Sequence, residues 1–217
     1  MSEQPDPTVA AQKAKWILIL VMSFFVGINI FYGIKILTRK PATATAASET
    51  FTKDVPDFTL TNQNGDPFGL ADLKGKYWVA AFVFSRCPGP CPMINANLAQ
   101  LQKELPESPN LHFVSFSIDP NYDTPEVLTK YAKGFYADHS RWTFLTGDQD
   151  AIHDLSMNGF YSAVMETDPE TAKDAGPFIH GTRIYIVDPA GVITAAYDGT
   201  TREGIDQTRK KLMELTN

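Results

Sequence analysis

The sequence predicts an α/β domain in which strands and helices alternate, preceded by one transmembrane helix. Three observations predict it. An uncharged apolar run lies near the N-terminus. Beyond residue 50, apolar runs of strand length alternate with segments of helical periodicity. A turn-linked pair of apolar runs lies near the C-terminus. The chain has 217 residues, with 19 basic and 25 acidic side chains for a net charge of −6; 43% of residues are hydrophobic and 20% charged. This composition excludes a disordered chain. The acidic balance argues against general nucleic-acid binding, which needs clustered Lys and Arg to neutralise phosphates. Two cysteines are too few for a disulfide framework, a zinc ribbon or a Cys-ligated iron–sulfur cluster.

Residues 16–34 (WILILVMSFFVGINIFYGI) carry no charge. As a helix they span roughly 28 Å, close to the ~30 Å hydrocarbon core of a bilayer. Trp16 and Tyr32 lie near the ends, where aromatic rings favour the interface. The predicted organisation is an N-terminal tail at 1–15, a transmembrane anchor at 16–37, a linker at 38–50 and one domain at 51–217. A cleavable signal peptide is the rival; its apolar core is usually ~7–15 residues, shorter than this run, although the small residues at 42–47 suit a cleavage site. Lys13 and Lys15 precede the span, and Lys35, Arg39 and Lys40 follow it. Charge counting therefore weakly favours a cytoplasmic domain, but a large domain translocates regardless of so small a bias.

Within the domain, Phe58-Thr59-Leu60 followed by Asn64-Gly65 predicts an N-terminal hairpin. Residues 77–84 (YWVAAFVF) form an apolar run suited to a strand buried on both faces. Ile94, Leu98, Leu101 and Leu105 give the next segment a helical period. Residues 111–118 are a second strand, and Pro125 after Thr124 marks a helix start. Residues 142–145 are a short strand, and Asp148 caps a following helix. Residues 183–187 and 192–197 flank the turn Asp188-Pro189-Ala190-Gly191, and residues 202–215 close the chain as a helix. Strand–helix–strand units require parallel crossovers, and the closing hairpin adds antiparallel strands. The predicted layout is thioredoxin-like with an N-terminal β-hairpin extension; a layout alone assigns no function.

The chemistry concentrates in FSRCPGPCP at 84–92. The turn from strand to helix places Cys87 near a helix N-cap, with Pro88 at the first helical position, where the dipole favours thiolate. Regular helix geometry holds side chains four apart at roughly 5–6 Å between Cβ atoms, whereas a disulfide wants roughly 3.5–4.5 Å. A metal between the sulfurs relaxes that demand, because two metal–sulfur bonds of about 2.3 Å span roughly 4–4.5 Å. Three intervening residues thus suit a metal clip at least as well as a redox dithiol, whose usual spacing is two. Inert buried cysteines are the plainer alternative. Two thiolates suit Cu(I), and a third ligand completes a trigonal site. Of the four histidines, His180 is favoured. It lies in the loop 176–181 before the strand at Arg183, and if that strand is antiparallel to the cysteine-bearing strand, its start meets Cys87. His112 lies at the far end of its strand, His153 mid-helix, and His139 in a loop of open position. Asp119 ends a parallel strand beside the cysteines and is a candidate to tune the site, or simply a turn-former before Pro120. Met93 and Met165 are soft donors whose default role is packing.

These residues resemble the Sco/SenC family, membrane-anchored thioredoxin-fold proteins implicated in building the binuclear copper centre of cytochrome c oxidase. The resemblance rests on FSRCPGPCP at 84–92, SIDPNYDTPEVLTKYAKGF at 117–135, WTFLTGD at 142–148 and HGTRIYIVDPAGVI at 180–193, in family order. It implies copper ligands at Cys87, Cys91 and His180, a single-pass anchor, and a C-terminal domain on the outer, periplasmic or equivalent, face. The implied partners are the copper-receiving oxidase subunit or another copper carrier. Gly89, Pro90 and Ile179 stand where family members often or usually carry acidic residues, so this chain lacks charge that favours a cation, Cu(II) especially. The acidic loop 166–177 is either solvated or a partial replacement. Three functions compete: a copper chaperone, a thiol–disulfide oxidoreductase in which Cys87 attacks and Cys91 resolves, and a copper or redox sensor.

Overall fold

The structure, a computed structural model, describes Trp16, residues 21–29 and residues 52–216. The chain divides into two compact units, Met1–Thr45 and Ala46–Asn217. In the first unit, residues 21–29 are helical and exposed. Among the described residues no helix is long and apolar enough to cross a membrane. Most of the expected anchor at 16–37, the tail at 1–15 and the linker at 38–50 lie outside the described residues.

The second unit is a mixed α/β thioredoxin-like fold. Its strands are β1 (Lys53–Asp54), β2 (Thr59–Asn62), β3 (Pro67–Gly69), β4 (Tyr77–Val83), β5 (Leu111–Ser117), β6 (Trp142–Thr146), β7 (Val164–Glu166), β8 (Phe178–His180), β9 (Arg183–Val187) and β10 (Val192–Asp198). Eight form one sheet in the order β1-β10-β9-β4-β5-β6-β2-β3. The core β4, β5 and β6 run parallel. Strands β9 and β10 extend the sheet antiparallel beyond β4, and the β2–β3 hairpin extends it beyond β6. The expected N-terminal hairpin is therefore an edge extension of the main sheet.

The apolar runs explain the centre. Every residue of β5 is buried, as is all of β4 except Tyr77. Parallel strands covered on both faces read as continuous rather than alternating apolar segments. Trp78, Phe82, Phe116, Phe160 and Tyr185 interlock edge-on, tilted or stacked at centroid separations of 5.1–6.5 Å. Burying each such side chain contributes about 1.5–3 kcal/mol before chain entropy is charged against it.

The six described α-helices of this unit are α1 (Leu70–Leu73), α2 (Pro90–Glu104), α3 (Pro125–Gly134), α4 (Gln149–Asp154), α5 (Ala172–Ala175) and, after the last strand, α6 (Arg202–Thr216). The Thr124 hydroxyl caps α3 from one residue before Pro125, and the Asp148 carboxylate accepts from Ala151 N at 2.9 Å to cap α4. Helix α4 runs directly into a π-helical turn, Leu155–Gly159. Strands β7 and β8 form a separate two-stranded antiparallel ribbon, with α5 in the connection between them. The sequence reads residues 166–181 of this stretch as loop; its strands are three residues long, too short to show a period.

Candidate metal centre

The parallel pairing of β4 and β5 brings their C-terminal ends together, with Val83 opposite Ser117. Strand β9 runs antiparallel to β4, with Ile184 opposite Ala81, so the start of β9 lies at that same rim. Chain leaving β4 carries Cys87, chain leaving β5 carries Asp119 and Asp123, and the chain just before β9 is β8, ending at His180.

Helix α2 begins at Pro90, with Gly89 as N-cap, two residues later than the sequence suggests. Cys87 therefore sits in the turn before the helix and Cys91 in its first turn. The two sulfurs are not stacked four apart on a regular helix, so the spacing objection to their approach is removed by the irregular backbone of Pro88-Gly89. Both cysteines are free thiols; Cys91 is fully buried and Cys87 is 7% exposed. Cys91 Sγ accepts a hydrogen bond from Phe84 N at 3.4 Å.

His180 completes the cluster. Its Nε2 stands 3.0 Å from Cys91 Sγ, and its Nδ1 lies 2.8 Å from the Gly181 carbonyl oxygen. A carbonyl only accepts, so Nδ1 carries the proton and Nε2 keeps its lone pair toward the sulfurs. The edge of Phe84 supports the ring, at 5.7 Å between centroids. One ligand atom from each of Cys87, Cys91 and His180 lies within 4.8 Å of the other two. Donors bound to one ion at ~2.0–2.3 Å stand roughly 3.5–4.5 Å apart, so the three can hold a single trigonal ion once Cys91 Sγ and His180 Nε2, 3.0 Å apart here, part by a fraction of an ångström.

The electrostatics are asymmetric. A hydrogen bond from the Cys91 thiol lowers Cys87 to about 4; burial opposes this, while the backbone amides of Cys91 and Gly89 assist it. Burial and the neighbouring Cys87 thiolate together push Cys91 far upward. The surroundings thus favour thiolate at Cys87 and thiol at Cys91.

The remaining candidates are elsewhere. His112 is buried against Thr143 Oγ1 at 2.8 Å and stacked on Phe68, His139 Nδ1 pairs with Gln63, and His153 Nε2 donates to the Ile118 carbonyl at 2.8 Å. Met93 and Met165 are half or more exposed, so neither packs in the core. Asp119 is also outside it: its buried carboxylate accepts from Arg86 Nε at 2.6 Å and Nη2 at 3.2 Å, and the same guanidinium lies 4.6 Å above the Tyr122 ring. Asp119 thus acts on the residue preceding Cys87 rather than on the sulfurs.

Sequence reasoning passed over Asp123. Fully buried, it accepts from Ser85 N at 3.0 Å and from the hydroxyls of Ser85 and Ser117, which ties the ends of β4 and β5 together behind the cysteines. Its signal was a serine just beyond one strand and another at the end of its neighbour, with a short acidic side chain within reach. Asp174 belongs to the acidic loop 166–177 that the sequence offers as a partial replacement for charge, without being singled out there. It lines a cavity of about 240 Å³ together with Cys87, Pro88, Gly89, Ile179 and His180.

A thioredoxin-like domain presenting two thiols and an imidazole at the C-terminal rim of its parallel strands defines a soft-metal or dithiol protein. The family model described as SCO1/SenC matches residues 46–217, and the chain belongs to that family. It is similar to the crystal structure of a SCO1/SenC family lipoprotein from Bacillus anthracis, with 36% identity, TM-score 0.68, and coverage of 80% of this chain and all of that one. It is also similar to BsSco, described as carrying a disulfide switch and as a member of the Sco family of cytochrome c oxidase assembly proteins. That match has 29% identity and TM-score 0.65, covering 79% of this chain and 98% of that one. Yeast Sco1 with copper bound matches at 25% identity and TM-score 0.60, over 74% of this chain and 89% of that one.

Proposed function

We propose that this chain is a membrane-anchored copper chaperone that carries one ion on Cys87, Cys91 and His180 and delivers it to the binuclear copper centre of cytochrome c oxidase. The convergence of the three donor atoms within 4.8 Å carries the proposal. Family membership, the copper bound by yeast Sco1 and the assembly role described for the BsSco family support it. The lipoprotein relative and the uncharged run at 16–34 support anchoring, with the domain on the outer face of the membrane. Cu(I) suits two sulfurs and one imidazole; Cu(II) is the second state the donors accept. Transfer proceeds by exchanging one ligand at a time for those of the acceptor, with Asp119 holding Arg86 and the turn before Cys87 in place.

Anaerobic titration with Cu(I) against a competing chelator tests this. One ion per chain is expected, and His180→Ala should weaken binding sharply. A second function is favoured by the unequal thiols. The lowered Cys87 thiol, beside the cavity it lines, suits attack on an acceptor disulfide, with Cys91 then resolving the mixed disulfide. Normal copper binding by His180→Ala, with mixed disulfides trapped by Cys91→Ser, would establish exchange in place of carriage.

A further inference from the structure

The cavity beside the cluster is lined by Cys87, His180 and a single carboxylate, Asp174. The other acidic groups at this end of the domain are engaged. Asp119 holds Arg86, Asp123 holds Ser85 and Ser117, Asp168 caps Thr171, Glu170 pairs with Lys173, and Glu166 accepts from Gln149. Among the described residues the Asp174 carboxylate has no hydrogen-bond or ion-pair partner. Helix α5, which bears it, is attached to the cysteine turn through Gly176, whose backbone rests against Pro88 and Phe84. The chain that positions His180 therefore also brings an uncommitted oxygen donor to the mouth of the site, outside the three donor atoms that lie within 4.8 Å of one another, so it joins an ion there only by a swing of its side chain.

Three donors of the set sulfur, sulfur and nitrogen complete Cu(I). Cu(II) prefers a tetragonal arrangement with nitrogen and oxygen ligands, so the cluster is one donor short for that state. We propose that Asp174 supplies this donor: its carboxylate joins Cys87, Cys91 and His180 around Cu(II) and stands off from Cu(I), so that it sets the oxidation state the site retains. This rests on the proposed copper site. The ligand involved is the copper ion alone, with no electron transfer required of the chain.

The test compares the full chain, in detergent, with D174N and D174E. Each is titrated anaerobically with Cu(I) against a chelator and, separately, with Cu(II) followed by EPR and by the sulfur-to-copper charge-transfer band. D174N should weaken Cu(II) by about tenfold and alter its EPR spectrum while leaving Cu(I) affinity unchanged. D174E, which keeps a carboxylate on a longer stem, should recover most of the loss. An unaltered Cu(II) spectrum and affinity in D174N would overturn the assignment, as would equal loss of both ions, which marks a structural role. A wild-type chain that binds neither ion fails at the copper site itself, a result distinct from either.

Discussion

Gly176 rests against Pro88: a Cβ placed at Gly176 would stand 3.1 Å from Pro88 Cδ and 3.3 Å from two carbons of the Phe84 ring. The segment that delivers His180 and the turn that carries Cys87 meet here backbone to ring. Gly176 also has φ 82° and ψ 174°, a combination that is essentially restricted to glycine.

Gly176→Ala should therefore destabilise the domain by about 1–3 kcal/mol and weaken copper binding at the same time. Chemical denaturation with parallel Cu(I) titration checks this; an unchanged midpoint would show that the contact relaxes freely.

The unequal thiols predict a pH signature. Cys87, lowered to about 4, is already thiolate near neutrality, so alkylation at pH 6 should modify Cys87 rapidly and Cys91 hardly at all, as mass spectrometry would show. The consequences for stability have opposite signs. From about pH 4 to ~8.5 an unfolded thiol holds the proton that Cys87 has lost, so this group's contribution to stability rises with pH. Above ~8.5 the folded chain keeps the Cys91 proton that the unfolded chain releases, so the contribution falls. The stability curve of Cys87→Ser should lack this rising limb, so wild type minus variant should display it.

Asp123 predicts a structural penalty behind the site. Asp123→Ala leaves the Ser85 amide and two serine hydroxyls without their acceptor, which should cost about 1–3 kcal/mol and loosen the turn before Cys87. Asp123→Asn keeps an acceptor oxygen and, with burial raising the carboxyl in the native protein, should cost less. Equal denaturation midpoints for wild type and Asp123→Ala would exclude this role.

His112 supplies acid sensitivity remote from the cysteines. Burial lowers it to about 4, so between ~6.5 and about 4 the unfolded chain takes up a proton that the folded one refuses. Stability from this group is lost as pH falls through that window. His112→Gln should flatten the acid limb of the midpoint-versus-pH curve.

Most of the sheet was legible because β4 and β5 are buried on both faces and wrote that burial as unbroken apolar runs. His180 could be placed at the site from topology, since an antiparallel β9 must begin where β4 ends, and Ile184 does lie opposite Ala81. The ribbon that bears it could not be read: in β7 and β8 only Val164 and Phe178 are buried, and each strand is too short to repeat. The helix start was misplaced for a similar reason, because Pro88 and Pro90 both suit a first helical position and only Gly89 as N-cap separates them. Asp123 binds Ser85, 38 positions away in sequence, and Asp174 shares a cavity with Cys87, 87 positions away, and no local pattern records such neighbours.

The thiols are rooted in the domain's central strand and helix, whereas the imidazole rides on a ribbon whose ladder bonds close only on itself. Swinging that ribbon outward would break no rung of the eight-stranded sheet, so the site can open on one side at the cost of local rather than global unfolding. For the proposed copper carrier this would separate cargo release from domain integrity: an acceptor would displace nitrogen first and take the ion from two sulfurs that have not moved.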